Sequence, residues 1–238
     1  MEFISLINKN IIITGTSRGI GYKLAKKFLK SNNYVWGCSK SKSKITHKKY
    51  KHQVINLEKK SEINRWVAKV KKEAKNKVDI LLLNAAFYER SLNYFDNDNN
   101  IIKTVMTNLV SSILISKKFS NIMIKKNKGM IVFFSSSATI LNDIGTSSYS
   151  SSKAGLETFA RILSKELKTF KISVYIFRIN YIKTRISENL KIKKIKNLLS
   201  KFKTNIFSNT DKIYYKILKL SEKKLKSKEI LVSDKIKR

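Results

Sequence analysis

Short apolar runs recur along the chain, separated by longer stretches in which apolar residues return at every third or fourth position. The runs near 10–14, 34–38, 53–56, 79–83, 130–135, 172–178 and 229–232 predict strands. The periodic stretches at 19–30, 61–75, 98–126, 149–169, 187–203 and 211–224 predict helices. Runs such as Ile80–Leu83 and Ile131–Phe134 are apolar throughout, so both faces of those strands are expected to be buried. Strands alternating with helices imply repeated βαβ units. We therefore expect an α/β fold, a doubly wound parallel sheet of about seven strands with helices on both faces.

Proline is absent, glycine numbers only 7, and no internal repeat or linker interrupts the pattern, so residues 1–238 are expected to form one domain. The stretch 40–51 is polar and basic and predicts a solvated loop. From 187 to 209, Ile192, Ile195, Leu199, Phe202 and Ile206 make one apolar helical stripe flanked by lysines. Such a helix either packs over the domain or lies on an anionic membrane. No apolar run reaches the roughly 18 residues of a membrane span. The first strand begins too early for a secretory signal, and a cytoplasmic protein is expected. A single cysteine, Cys38, excludes an internal disulfide, and two histidines argue against a multi-histidine metal site.

The net charge of +35 suits a phosphate-rich or acidic partner. However, arginine supplies only seven of the 51 basic residues, and Lys, Asn, Ile, Phe and Tyr abound where Pro and Gly are scarce. That is the imprint of AT-rich codons, whereas selected phosphate or base readout favours the planar fork of arginine. The charge therefore does not by itself specify nucleic acid.

Ile11–Thr14 runs into Gly15-Thr16-Ser17-Arg18-Gly19-Ile20-Gly21 and then a helix, placing three of the seven glycines in one turn. Such a turn lets backbone N–H groups approach a pyrophosphate and adds the positive end of a helix. Gly15, Ser17, Arg18, Gly19, Ile20 and Gly21 are the candidate phosphate contacts. The spacing, TGxxxGIG after a first strand, resembles the short-chain dehydrogenase/reductase family in its single-domain form, which implies a Rossmann-type fold. In dinucleotide sites an acidic residue about 20 positions past the glycines binds the ribose 2′-hydroxyl. Here that region ends in Ser39-Lys40 with no acid nearby, and Arg18 resembles the loop cation of NADP-preferring members. NADP(H) is therefore favoured over NAD(H). The resemblance also implies cofactor contacts at Asn84 and Ala85, where Asp79–Ala86 matches the family's Asn-Asn-Ala-Gly only in part, and at Asn56 and Leu57, which replace Asp-Val.

Tyr149-Ser-Ser-Ser-Lys153 is one of three Tyr-x3-Lys pairs, beside Tyr22/Lys26 and Tyr215/Lys219, so the motif alone says little. Its context sets it apart: it opens a helix after a strand, with Ser136 thirteen residues upstream. Asn108 in Thr-Asn-Leu-Val matches the family's helix asparagine. Reducing a carbonyl places negative charge on oxygen, which calls for a hydrogen-bond donor and a proton. Tyr149 would serve as acid or base, and Lys153, one turn on, would lower the phenol's pKa and hold the nicotinamide ribose. Ser136 would donate to the substrate oxygen, and Asn108 would support a water path returning protons. Beyond the sixth strand the family's Pro-Gly is replaced by Ile179-Asn180, while Ile182 and Thr184 remain candidate cofactor contacts. Residues 229–234 resemble the family's last strand without its glycines.

The resemblance is nearest to the 3-oxoacyl-acyl-carrier-protein reductases. It implies an NADP(H)-dependent enzyme interconverting a carbonyl and a secondary alcohol, with an acyl thioester on an acidic carrier protein as the expected substrate and residues 185–209 covering it. A sugar or polyol reductase of the same family is the rival. A non-catalytic module binding RNA or an anionic surface is the alternative of another class. The family also implies a homo-oligomer, dimer or tetramer, packed through the helices at 98–126 and 149–169.

Overall fold

The computed structural model describes residues 6–179, 209–222 and 228–232. Seven parallel strands, β1 (Asn10–Thr14), β2 (Tyr34–Ser39), β3 (Tyr50–Val54), β4 (Ile80–Leu83), β5 (Gly129–Ser136), β6 (Ile172–Ile179) and β7 (Lys228–Val232), form one sheet in the order β3-β2-β1-β4-β5-β6-β7. The helices are α1 (Gly19–Lys30), α2 (Lys60–Glu73), α3 (Asp98–Val105), α4 (Ser111–Lys125), α5 (Ala138–Leu141), α6 (Ser147–Glu166) and α7 (Thr210–Glu222).

The apolar strands explain the layering. Successive side chains of a strand point to opposite faces. Ile12, Leu81, Leu83, Ile131 and Phe133 accordingly join one core with Trp66 of α2, Phe119 of α4 and Leu156 of α6. Ile11, Ile13, Leu82, Val132 and Phe134 join a second with Phe28 of α1 and Ile217 of α7. Helices thus cover both faces, as expected.

Two boundaries differ from expectation. The third strand is Tyr50–Val54 rather than 53–56, so the basic stretch 40–51 ends inside the sheet. This is an edge strand with the mixed sequence Tyr-Lys-His-Gln-Val, whereas the apolar Ile55 and Leu57 beyond it are buried in the connection to α2. The helix expected at 98–126 is helical throughout, but Met106–Val110 forms a π-turn between α3 and α4. The amphipathic helix expected at 187–203, and the covering segment at 185–209 apart from Asn209, lie outside the described residues. Asn209 Oδ1 accepts from the Asp211 N–H and so starts α7 at Thr210.

Candidate active site

β1 pairs with β2 on one side and β4 on the other, so the winding of the sheet reverses between β1 and β4. In open α/β sheets the crevice at the carboxyl ends of the strands around this point receives ligands. A cleft of about 670 Å³ opens there, lined by residues following β1, β2, β4 and β5 and by Ile179 at the end of β6.

The glycine loop forms one wall. Gly15 has a positive φ of 78° and donates its N–H to Cys38 O at 2.7 Å. A Cβ on Gly21 would lie 2.3 Å from Gly15 O and 2.5 Å from Asn84 Nδ2, so only glycine lets α1 approach this closely. Gly15, Ser17, Arg18, Gly19 and Ile20 line the cleft, and Gly21 packs behind them. No acidic residue occupies the first turn of α1, leaving its positive end available to an anion. These features fit a pyrophosphate.

Asn84 and Ala85 line the cleft as well, but their polar groups serve the fold. Both backbone N–H groups donate to Thr14 Oγ1, at 3.0 and 2.9 Å, and Asn84 Nδ2 donates to Thr14 O at 3.0 Å. At the far end lie Ser39, Lys40, Asn56 and Leu57. Lys40 is exposed and pairs with Glu58 at 3.5 Å, a cleft carboxylate that the sequence reading missed. Arg18 has no ionic partner among the described residues.

The opposite end holds the candidate catalytic residues. Ser136 closes β5, and Tyr149 and Lys153 rise from successive turns of α6. Ser136 and Tyr149 both line the cleft, the Ser136 hydroxyl acts on the Tyr149 phenol to favour its ionised form, and Ser136 Oγ accepts from the Ala138 N–H at 3.2 Å. Of the three consecutive serines, Ser135 instead donates to Glu157 Oε1 at 2.7 Å, and Ser136 is the one whose side chain acts on the tyrosine. Lys153 is buried, and its Nζ lies 5.9 Å from the centre of the Tyr149 ring and donates to Phe134 O at 2.8 Å. The sequence predicts a phenol lowered by Lys153, whereas the net shift of Tyr149 runs upward. Burial pushes Tyr149 up to about 12, and the Ser136 hydroxyl opposes it without prevailing. Burial also pulls Lys153 down to about 8 against the charge of Glu157.

Asn108 lies in the π-turn, fully buried, and does not line the cleft. Its Oδ1 accepts from Phe87 N at 2.8 Å, and its Nδ2 donates to Phe87 O at 2.9 Å and to Ser152 Oγ at 3.1 Å. Its amide thus ties the segment after β4 to α6. Ile182 and Thr184 lie outside the described residues.

Tyr88, Lys103 and Thr107 carried no usable sequence signal. Tyr88 packs edge-on against Tyr149, with ring centres 4.9 Å apart. Lys103 and Thr107 line the cleft, with Lys103 Nζ 3.9 Å from the centre of the Phe87 ring. Glu157 accepts from Arg178 at 2.7 and 2.5 Å and from Arg161 at 3.0 Å. An acid one turn past Lys153 in a chain with only 16 acidic residues was the available clue to Glu157.

Among the described residues no helix is long and apolar enough to cross a membrane. Comparison with known proteins converges on one family. The family model described as short chain dehydrogenase matches residues 9–195. The chain is 27% identical over 220 residues to the 3-oxoacyl-[acyl-carrier-protein] reductase FabG of Rickettsia typhi, covering 90% of this chain and 89% of that protein. It is 29% identical over 224 residues to FabG of Buchnera aphidicola subsp. Schizaphis graminum, covering 91% of each. The structure of a short chain dehydrogenase from Leptospira borgpetersenii with bound NAD+ superposes with a TM-score of 0.86 at 19% identity, covering 96% of this chain and 92% of that one. The chain is an oxidoreductase of the short-chain dehydrogenase/reductase family.

Proposed function

We propose that the protein reduces the ketone of an acyl thioester to a secondary alcohol with NADPH, and that the thioester is presented by an acidic carrier protein. The observation that carries this reading is the convergence of Ser136, Tyr149 and Lys153 at one end of a cleft whose other end is the glycine loop. The nicotinamide, when bound, supplies the hydride. The loop at Ser17–Ile20 and the start of α1 would hold the pyrophosphate, and Lys153 the ribose hydroxyls. Tyr149 gives its proton to the carbonyl oxygen, and its raised pKa keeps it a neutral phenol at physiological pH. Ser136 donates a hydrogen bond to the same oxygen and stabilises its developing charge. Asn108 acts as a positioning residue through Phe87 and Ser152.

NADPH is favoured because the ribose end offers Arg18, Ser39 and Lys40. Since Lys40 is already paired with Glu58, Arg18 supplies the larger share of the charge facing a 2′-phosphate. The relatives named as 3-oxoacyl-[acyl-carrier-protein] reductases support the substrate class, and the basic surface suits an acidic carrier. A homo-oligomer formed through α3, α4 and α6 accords with the exposed Ile102 and Ile162 on those helices. The test is nucleotide oxidation by the purified protein with acetoacetyl thioesters and with keto-sugars. The expected result is thioester-dependent oxidation of NADPH in preference to NADH. Turnover of keto-sugars alone, or a preference for NADH, would contradict the substrate or the cofactor assignment respectively.

A further inference from the structure

A second polar cluster lies beneath the glycine loop, on the β2–β3 side of β1. Tyr50 and His52, two residues apart on β3, share one face of the sheet and reach across β2 to Thr16. Thr16 is fully buried and Tyr50 nearly so. Tyr50 donates its hydroxyl to Thr16 Oγ1 at 2.8 Å, and His52 Nδ1 lies 3.2 Å from the same Thr16 oxygen. On the other edge of the imidazole, Nε2 lies 3.3 Å from Ser41 O and 3.4 Å from Ser39 Oγ. Ser43 closes the circuit by donating to Thr16 O at 3.0 Å.

The cluster is built into the sheet. A Cβ on Gly37, in the middle of β2, would lie 2.4 Å from Thr16 Oγ1 and 2.8 Å from the Tyr50 hydroxyl. A glycine inside a strand weakens it, and here the vacated volume holds two hydroxyl groups. Directionality follows from the partners. A neutral imidazole protonated at Nε2 accepts at Nδ1, which lies 3.2 Å from the Thr16 hydroxyl and 3.0 Å from the Tyr50 hydroxyl, and donates to Ser41 O, so that Tyr50, Thr16, His52 and Ser41 form one connected network. Burial lowers the pKa of His52 and so favours this neutral form.

The cluster thus joins Thr16 of the glycine loop to the Ser39–Ser43 segment, whose Ser39, Lys40 and Ser41 line the cleft. We propose that His52 is a positioning residue that fixes the Ser39–Ser43 segment against the glycine loop and thereby sets the discrimination between NADPH and NADH. This rests on the reading of the cleft as a dinucleotide site.

The test is direct binding of both nucleotides to the full chain, with His52→Phe retaining the ring's bulk and losing its polar edges. Loss of two hydrogen bonds predicts an NADPH dissociation constant raised by about 5- to 20-fold, with NADH affinity changed by less than about twofold. Turnover at saturating NADPH should stay within about twofold, because Ser136, Tyr149 and Lys153 lie at the opposite end of the cleft and need no reorientation. His52→Gln, which still donates from the equivalent position, should recover part of the preference. Tyr50→Phe removes one hydroxyl, should act in the same direction, and carries the test if His52→Phe does not fold. Equal weakening of both nucleotides, or unchanged NADPH affinity, would overturn the proposal. Wild-type protein that binds neither nucleotide would overturn the reading of the cleft and this proposal with it. Tight wild-type binding alongside an unaffected variant would overturn this proposal alone.

Discussion

Tyr149 and Lys153 are driven by one force in opposite chemical senses. Burial disfavours whichever form is charged, so the phenol titrates higher and the ammonium lower than in water. The phenol therefore remains protonated across the physiological range, while the ammonium is the form at risk. With a lysine pKa near 8, the cation is fully present below that value and is lost as pH rises through it. Initial rates of carbonyl reduction measured against pH should accordingly decline above about pH 8. Glu157, whose charge favours the ammonium, should hold that limb in place, and Glu157→Gln should move it to lower pH. A profile flat to pH 10 in both proteins would contradict this account. Tyr149, Lys153 and Ser136 were readable as candidates because carbonyl reduction would demand particular residue types at fixed intervals, and all three line the cleft. Tyr88, Glu58 and Arg178, the partner of Glu157 on β6, come from distant parts of the chain, and no local pattern announces such meetings.

At the scale of elements, two junctions bring the catalytic end and the glycine loop together. The first is the closure of α1 on β1 and β4, where Gly21 sits against Gly15 O and Asn84. Gly21→Ala forces a methyl group into that contact, and overpacking of this kind costs roughly 1–3 kcal/mol. The variant should melt several degrees lower in calorimetry and bind NADPH poorly. An alanine variant with parental melting and affinity would show that the close approach is unnecessary. The second junction is the π-turn at Asn108, a distortion that recurs at functional sites in helices. Strands and helices were readable wherever burial imposed a period, as in β1, β4 and β5. The edge strand β3 escaped because its polar residues face the His52 cluster and solvent, while the apolar Ile55 and Leu57 that mimic a strand belong to a loop. The π-turn escaped because its backbone stays in the right-handed helical region, where no residue type such as proline or glycine marks the change.

For the molecule as a whole, strands apolar on both faces require two helical layers, and that single demand made the fold class readable before any motif was considered. The order of the strands, and with it the cleft between β1 and β4, depends on pairings between distant segments that composition does not encode. Net charge proved the least informative global property. The lysine-rich surface accompanies a candidate site built from serine, tyrosine, one buried lysine and a glycine turn. What joins them is the claim that a buried phenol delivers the proton to a carbonyl oxygen while a nicotinamide lies alongside. Comparing Tyr149→Phe with the parent in NADPH binding and thioester reduction tests that claim most directly. The account predicts nearly unchanged NADPH affinity with turnover reduced by at least about 100-fold, the smaller loss expected on removing a general acid. Turnover close to that of the parent would contradict it.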